Sequence, residues 1–180
     1  MAELFLRRLT RWQAEKQRES LADLYVEAYV GVAGEEFRDR QDFLRRFEGH
    51  VQQPDFEFAV AAAEELVGCA YGFRVSRSGE WWRGVDQALS SHLEELTASG
   101  QVFALAEVMV LPSCRRRHVA TRLVDHLLAR SDAARTIALV DPGNAPARAA
   151  FRSWSWTGLG VSGVASDAPA PEVWSRLPTH

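Results

Sequence analysis

The junction at residues 102–131 constrains this chain most. An apolar run, VFALAEVMVL (102–111), ends at Pro112; a basic stretch, CRRRH, follows, and then a helical pattern begins. A short apolar run rich in β-branched residues reads as a buried strand. Proline cannot donate to a sheet ladder and closes it. Over 116–131, Val119, Leu123 and Leu127 form one stripe with Ala120, Val124 and Leu128 beside it, so the predicted helix has one apolar face. The first turn of a helix exposes unpaired backbone N–H groups at the positive end of the dipole. That geometry binds phosphate, and arginines around it add charge-assisted bonds. The junction therefore reads as a pyrophosphate cradle. It has neither the Gly-Lys-Ser/Thr of a Walker loop nor the glycines of a dinucleotide fingerprint.

The same periodicities organise the rest of the chain. Strands are expected at 2–10, 56–65, 66–76, 102–111 and 135–141, and two more in GVSGVAS (160–166) and PEVWSRLP (171–178), with SDAPAP (166–171) as a loop. Helices are expected at 17–30, on Leu21, Leu24, Tyr25 and Ala28, and at 39–51, on Phe43, Phe47 and Val51. A further helical stripe at 81–99 reads as an insertion. NAPARAAFRSW (144–154) reads as a helix capped by Asn144 with Pro146 in its first turn. Long alternating units favour an α+β sheet with helices on its faces, and a chain of this length suits one domain over 1–180.

Composition sets the outer limits. The net charge is −3, which excludes a broadly basic nucleic-acid binder. No signal-length or membrane-spanning apolar segment is present, so the expected location is the cytoplasm, without a membrane partner. Cys69 and Cys114 lie far apart without metal-ligand spacing, and reduced thiols are the default. His50, His92 and His126 are expected to be surface or satisfied residues, and no metal site is expected.

Two stretches together resemble the GNAT superfamily of acyl-CoA-dependent N-acetyltransferases. The first is Val110-Leu111-Pro112 followed by Arg115-Arg116-Arg117-His118-Val119-Ala120. The second, one strand later, is NAPARAAFRSWSW, with Asn144, Ala147, Phe151 and Trp156. The specific part of the resemblance covers 102–156, and the order of elements extends it over most of the chain. It implies an α+β fold with a mixed, mostly antiparallel sheet flanked by helices, and a splay between central strands that forms an acyl-CoA wedge. Three residues depart from the family pattern: His118 and Ser155 replace glycines, and Phe151 replaces the tyrosine that protonates the leaving thiolate.

The resemblance implies direct transfer of an acetyl or short acyl group from acetyl-CoA, as co-substrate, to a primary amine. Backbone groups of Val108, Met109 and Val110 would hold the pantetheine arm. The amides and side chains from Arg115, Arg116, Arg117 and His118 through Val119, Ala120 and Thr121 would hold the pyrophosphate. Asn144, Ala147 and Phe151 would flank the thiol end. Glu107, a lone carboxylate in an apolar strand, is the candidate base; the competing reading is an ion pair with an arginine from a neighbouring helix. Tyr71 is a candidate substitute for the missing acid. Tyr29, Trp81 and Trp82 are candidate acceptor-site residues, and Trp154, Trp156 and Trp174 are expected in the core. The expected partner is a small-molecule amine, not nucleic acid, with the protein a monomer or homodimer. A non-catalytic acyl-CoA-binding module and a protein or peptide N-acetyltransferase are the alternatives.

Overall fold

Thr10 shows how closely local chemistry sets the elements. Its hydroxyl accepts from the Gln13 N–H, and the Gln13 side chain accepts from the Thr10 N–H, closing a capping box at the start of a short helix. The computed structural model describes residues 3–29, 36–75, 87–161 and 171–177. Among these, the strands are β1 (Phe5–Leu9), β2 (Glu57–Ala62), β3 (Leu66–Arg74), β4 (Val102–Val110), β5 (Arg135–Val140), β6 (Thr157–Val161) and β7 (Glu172–Arg176). The helices are α1 (Arg11–Lys16), α2 (Arg18–Tyr29), α3 (Glu36–Val51), α4 (Gln87–Ala98), α5 (Val119–Leu128) and α6 (Ala145–Ser153). The strand order is β1-β2-β3-β4-β5-β7-β6. β4–β5 is parallel, whereas β1–β2, β2–β3, β5–β7 and β6–β7 are antiparallel. This is an α+β, mostly antiparallel sheet.

The chain divides into two compact units, one of residues 1–73 with 106–131 and one of residues 74–105 with 132–180. In the first unit β3 is buried along almost its whole length, the pattern of a strand covered on both faces. One face meets α1–α3, where Leu21, Leu24, Phe43 and Phe47 pack with Phe58, Tyr71 and Met109. A chain of rings runs through this core, with centroids 5.0 Å apart for Tyr25–Phe43, 5.7 Å for Phe43–Phe47 and 5.6 Å for Phe47–Tyr71. Such rings supply most of the apolar area a small core buries. The predicted stripe of α5, Val119, Leu123, Val124 and Leu127, is buried. A Cβ on Gly68 would lie 2.9 Å from the Met109 carbonyl oxygen and 3.2 Å from Leu123 Cδ1, so glycine alone permits this approach.

In the second unit β4 and β5 pair from Val102 opposite Arg135 to Ala104 opposite Ile137. β5 pairs with β7, and β7 with β6 through an irregularity at Gly158 and Gly160. Phe151 of α6 packs on Trp156 and Trp174 at ring distances of 4.9 and 6.2 Å.

The differences from the sequence reading are local. α1 has no counterpart in it. The helix expected from residue 116 starts at Val119, because Arg116 and His118 adopt left-handed backbone angles. The strand expected at 160–166 is β6, Thr157–Val161, and the remainder of that stretch lies outside the described residues. So do residue 30, the start of the 81–99 stretch with Trp81 and Trp82, and most of 166–171.

Candidate active site

β4 alternates its side chains between two faces. Met109 lies in the core with Leu21 and Phe43, so Glu107, two residues earlier, faces the same helices. Its side chain is 9 % exposed. The Tyr29 hydroxyl lies 3.2 Å from Glu107 Oε1 and 3.3 Å from the Val108 carbonyl oxygen, and its single proton is shared between them. Arg46 of α3 places Nη1 3.7 Å from Glu107 Oε2, with its guanidinium over the Tyr25 ring at 5.2 Å. Tyr25 and Tyr29, one turn apart on α2, pack at 4.8 Å. Burial pushes the Glu107 carboxyl from 4.5 up to about 7, against the pull of Arg46 and the Tyr29 hydroxyl. The ion pair with an arginine from a neighbouring helix, the competing reading from sequence, is present, and beside it burial holds the carboxyl near neutrality. Arg46 itself carries no periodic or motif signal, and sequence reasoning missed it.

Tyr71 and His50 stand behind this group. Tyr71 is fully buried, with its hydroxyl 3.0 Å from His50 Nδ1. Burial holds Tyr71 well above its ordinary value; burial and then the charge of Arg46 lower His50 to about 4. The pair is neutral at physiological pH, and the histidine tautomer sets which of the two groups donates. Tyr71, a candidate substitute acid from sequence, is thus sealed in the core and bonded to His50.

The backbone of β4 has two edges. The Leu111 N–H donates to the Val67 carbonyl at 2.8 Å, and the Met109 carbonyl also turns toward β3 at Gly68. Strand alternation then turns the N–H and C=O of Val108 and Val110 away from β3. Beyond Pro112 the chain makes one 3₁₀ turn, Pro112–Cys114, and reaches α5 through residues 115–118. Arg116 has φ 62° and His118 φ 57°. His118, inside the stretch where the helix is expected from residue 116, occupies instead the left-handed region that glycine adopts freely. Alternating left-handed residues turn successive N–H groups into an anion-binding concavity. No side chain caps α5, and the amides of Val119, Ala120 and Thr121 open its first turn. The Arg115 guanidinium is committed elsewhere, as Nη2 donates to the Ala28 carbonyl of α2. Arg116, Arg117 and His118 are exposed.

In the second unit Asn144 caps α6, as expected, accepting from the Ala147 N–H at 3.1 Å. Phe151 is buried among Trp154, Trp156 and Trp174. Ser155 has φ 64° and ends α6: its N–H donates to Arg152 O and the Trp156 N–H donates to Phe151 O, both at 3.0 Å. That is a Schellman closure, whose left-handed position is ordinarily glycine. Both glycines of the family pattern that this chain lacks therefore fall at left-handed positions.

Both cysteines are free thiols, Cys69 buried and Cys114 partly so. His50 is satisfied by Tyr71, whereas the Nε2 of His126 is buried without a partner among the described residues. Among the described residues no group of three His, Cys, Asp or Glu side chains could hold a metal ion, and no helix is long and apolar enough to cross a membrane.

Residues 18–155 match the model of the Acetyltransferase (GNAT) family. No curated protein matches the chain in sequence. Solved structures of the same fold include an acetyltransferase from Thermus thermophilus, with TM-score 0.63 and 14% identity, covering 99% of this chain and 100% of that one. The PaiA N-acetyltransferase from Thermoplasma acidophilum, in complex with coenzyme A, gives 0.63 and 10% over 98% and 99%. Diaminobutyrate acetyltransferase EctA from Paenibacillus lautus, in complex with L-2,4-diaminobutyric acid and coenzyme A, gives 0.61 and 13% over 99% and 96%. The two sequence signatures, the seven-stranded order and the family match agree: the chain belongs to the GNAT acetyltransferase family.

Proposed function

We propose that the chain transfers an acetyl or short acyl group from acetyl-CoA to a primary amine, with Glu107 as general base. The observation that carries this reading is the buried Glu107 carboxyl, with a pKa of about 7, adjoining the strand edge formed by Val108 and Val110. Amines are largely protonated at neutral pH. A carboxylate that titrates near 7 accepts that proton without being so weak a base that it stays empty. Tyr29 holds the carboxylate in place, and Arg46 keeps part of the population ionised.

Val108 and Val110 offer N–H groups along one strand edge to the amides of the pantetheine arm and to the thioester oxygen. The left-handed turn at Arg116–His118 and the uncapped start of α5, Val119 to Thr121, suit the pyrophosphate. Arg116 and Arg117 add charge. Arg115 contributes through its backbone, because its guanidinium ties this turn to α2. Asn144, Ala147 and Phe151 enter through the family resemblance as the residues at the thiol end. Once Glu107 has taken the first proton, the amine nitrogen forms its bond to the carbonyl carbon, the C–S bond breaks and sulfur departs as thiolate, and the nitrogen releases its second excess proton to solvent, which also supplies the proton that the thiolate later takes up. Phe151 has no hydroxyl to protonate it. A thiol pKa of about 8.5 makes thiolate a tolerable leaving group, and losing acid assistance costs about 10²–10⁴-fold.

The acceptor class is a small amine, in keeping with the diaminobutyric acid of the EctA complex. Tyr29 would border it. Trp81 and Trp82, proposed as its walls, lie outside the described residues. The test is release of free thiol from acetyl-CoA across a panel of small amines and peptides. Turnover with small amines, lost in Glu107→Gln, is the expected result. Tight acetyl-CoA binding without turnover on any acceptor would instead favour a non-catalytic binding module, the reading that Phe151 favours. Turnover on peptides alone would move the assignment to a protein N-acetyltransferase.

A further inference from the structure

Tyr29 is the last residue of α2, and its hydroxyl is what that helix brings to Glu107 Oε1, at 3.2 Å, and to the Val108 carbonyl, at 3.3 Å. Burial does not fix the residue. Tyr29 is 41 % exposed, whereas Ala28 beside it is 4 % exposed. Its ring meets one other ring among the described residues, that of Tyr25 at 4.8 Å. Both hydroxyl contacts are longer than the usual O–H···O bond of about 2.5–3.0 Å, and the terminal turn of a helix frays. A further contact has to hold the end of α2 if Tyr29 is to hold Glu107.

The last carbonyls of a helix have no partner within it and carry the negative end of its dipole. α2 has no basic residue in its last turn to answer them. Arg115 answers from 87 residues away in the chain: its Nη2 donates to the Ala28 carbonyl, one residue before Tyr29. This contact satisfies an orphan acceptor and sets a full positive charge at the helix end. Arg115 is itself anchored, because its N–H donates to the Pro112 carbonyl at 3.3 Å and closes the 3₁₀ turn that follows β4. β4 thus carries Glu107 and Val108, and the turn after it clamps the helix that brings Tyr29 to both.

We infer that Arg115 is a positioning residue: its guanidinium fixes the end of α2 so that Tyr29 holds the Glu107 carboxylate at the edge of β4. This rests on Glu107 as the base, and it gives the Arg115 side chain a part other than the phosphate contact expected from sequence. Without the tie the last turn of α2 is free to move, and a misplacement of about 1 Å around a reacting group costs up to about 10²-fold in rate.

The experiment labels the three tyrosines of the full-length chain as 3-fluorotyrosine and reads them by ¹⁹F NMR without any ligand. Tyr29→Phe and Tyr71→Phe serve only to assign resonances. Arg115→Met keeps an apolar stem but neither charge nor donor, at an exposed position that leaves the core intact. In this variant the Tyr29 resonance is expected to shift or broaden, while that of the fully buried Tyr71 stays in place. In steady-state assays Arg115→Met is expected to lower kcat about tenfold or more, with the KM for acetyl-CoA held within about threefold. An unmoved Tyr29 resonance, or equal movement of Tyr29 and Tyr71, would overturn the inference. So would an unchanged kcat with a raised KM for acetyl-CoA, the signature of a phosphate ligand. The fluorine spectra need no turnover, so inactivity of the wild type on every amine would sink the transfer reading while the tie of Arg115 to α2 is still decided by Tyr29.

Discussion

Glu107 carries two measurable consequences of one burial. As a base it must be ionised, so kcat/KM is expected to fall about tenfold per pH unit below about 7, in addition to any limb from the acceptor amine. Glu107→Gln should lose that limb together with about 10²–10⁴-fold of the rate. A substitution that keeps the limb would assign it to another group. The same carboxyl also links stability to pH. Its folded value of about 7 exceeds the ordinary 4.5, so the fold favours the protonated form. That contribution is full below about 4.5 and is lost as pH rises through about 7. The side chain is 9 % exposed, so screening is slight, and the loss is about 3 kcal/mol at most. Denaturant titrations of wild type and Glu107→Gln at pH 5 and pH 8 should show Gln gaining relative stability at the higher pH. A constant difference between the two would mean that the carboxyl is not desolvated. A lone carboxylate in VFALAEVMVL is legible as chemistry from sequence. Its partners are not, because Tyr29 and Arg46 lie far away in the chain and only packing of α2 and α3 brings them to β4.

At the scale of elements, the family's glycine positions acquire a physical meaning. His118 precedes α5 and Ser155 follows α6, and both sit in left-handed backbone. A side chain there costs about 1–2 kcal/mol, while glycine loses about 0.5–1 kcal/mol of that in chain entropy. Ser155→Gly should therefore stabilise the protein by about 0.5–1 kcal/mol, measured by chemical denaturation, since the Schellman bonds to Phe151 and Arg152 need only the backbone. Destabilisation by this substitution would show that the serine side chain does more than complete that closure. Sequence periodicity locates the helices because each buries a stripe, and it fails where a stripe is too short to repeat. α1 is such a case, although Thr10 and Gln13 stand at capping-box spacing and are a readable signal. Sequence places β6 too late in the chain because its glycines, Gly158 and Gly160, dilute the β-branched signature, and their register irregularity is a tertiary feature of the pairing with β7. The left-handed angles at Arg116 and His118 are hidden for a related reason: neither residue type announces that conformation as a glycine does.

For the whole molecule, ligand binding and folding are linked, and this yields a test that needs no acceptor. A ligand that binds only the folded chain stabilises it by about 2.7 kcal/mol at a hundredfold excess over Kd. For a chain of this size that corresponds to a rise in Tm of about 5–10 °C. Acetyl-CoA and CoA should both give it, because the strand edge at Val108 and Val110 and the turn into α5 are proposed to bind the pantetheine arm and the pyrophosphate, which the two share. Adenosine diphosphate should give less, since it reaches only the turn. The part of the rise due to phosphate contacts should shrink as salt is raised, while the part due to pantetheine hydrogen bonds should persist. His118→Gly refines the same measurement. It removes a Cβ from the left-handed position and lets phosphate approach the backbone, so CoA should raise the Tm of His118→Gly by more than it raises that of wild type. A Tm indifferent to CoA at every salt concentration would mean that the turn at 115–118 is closed to phosphate, and the transfer reading would lose its donor.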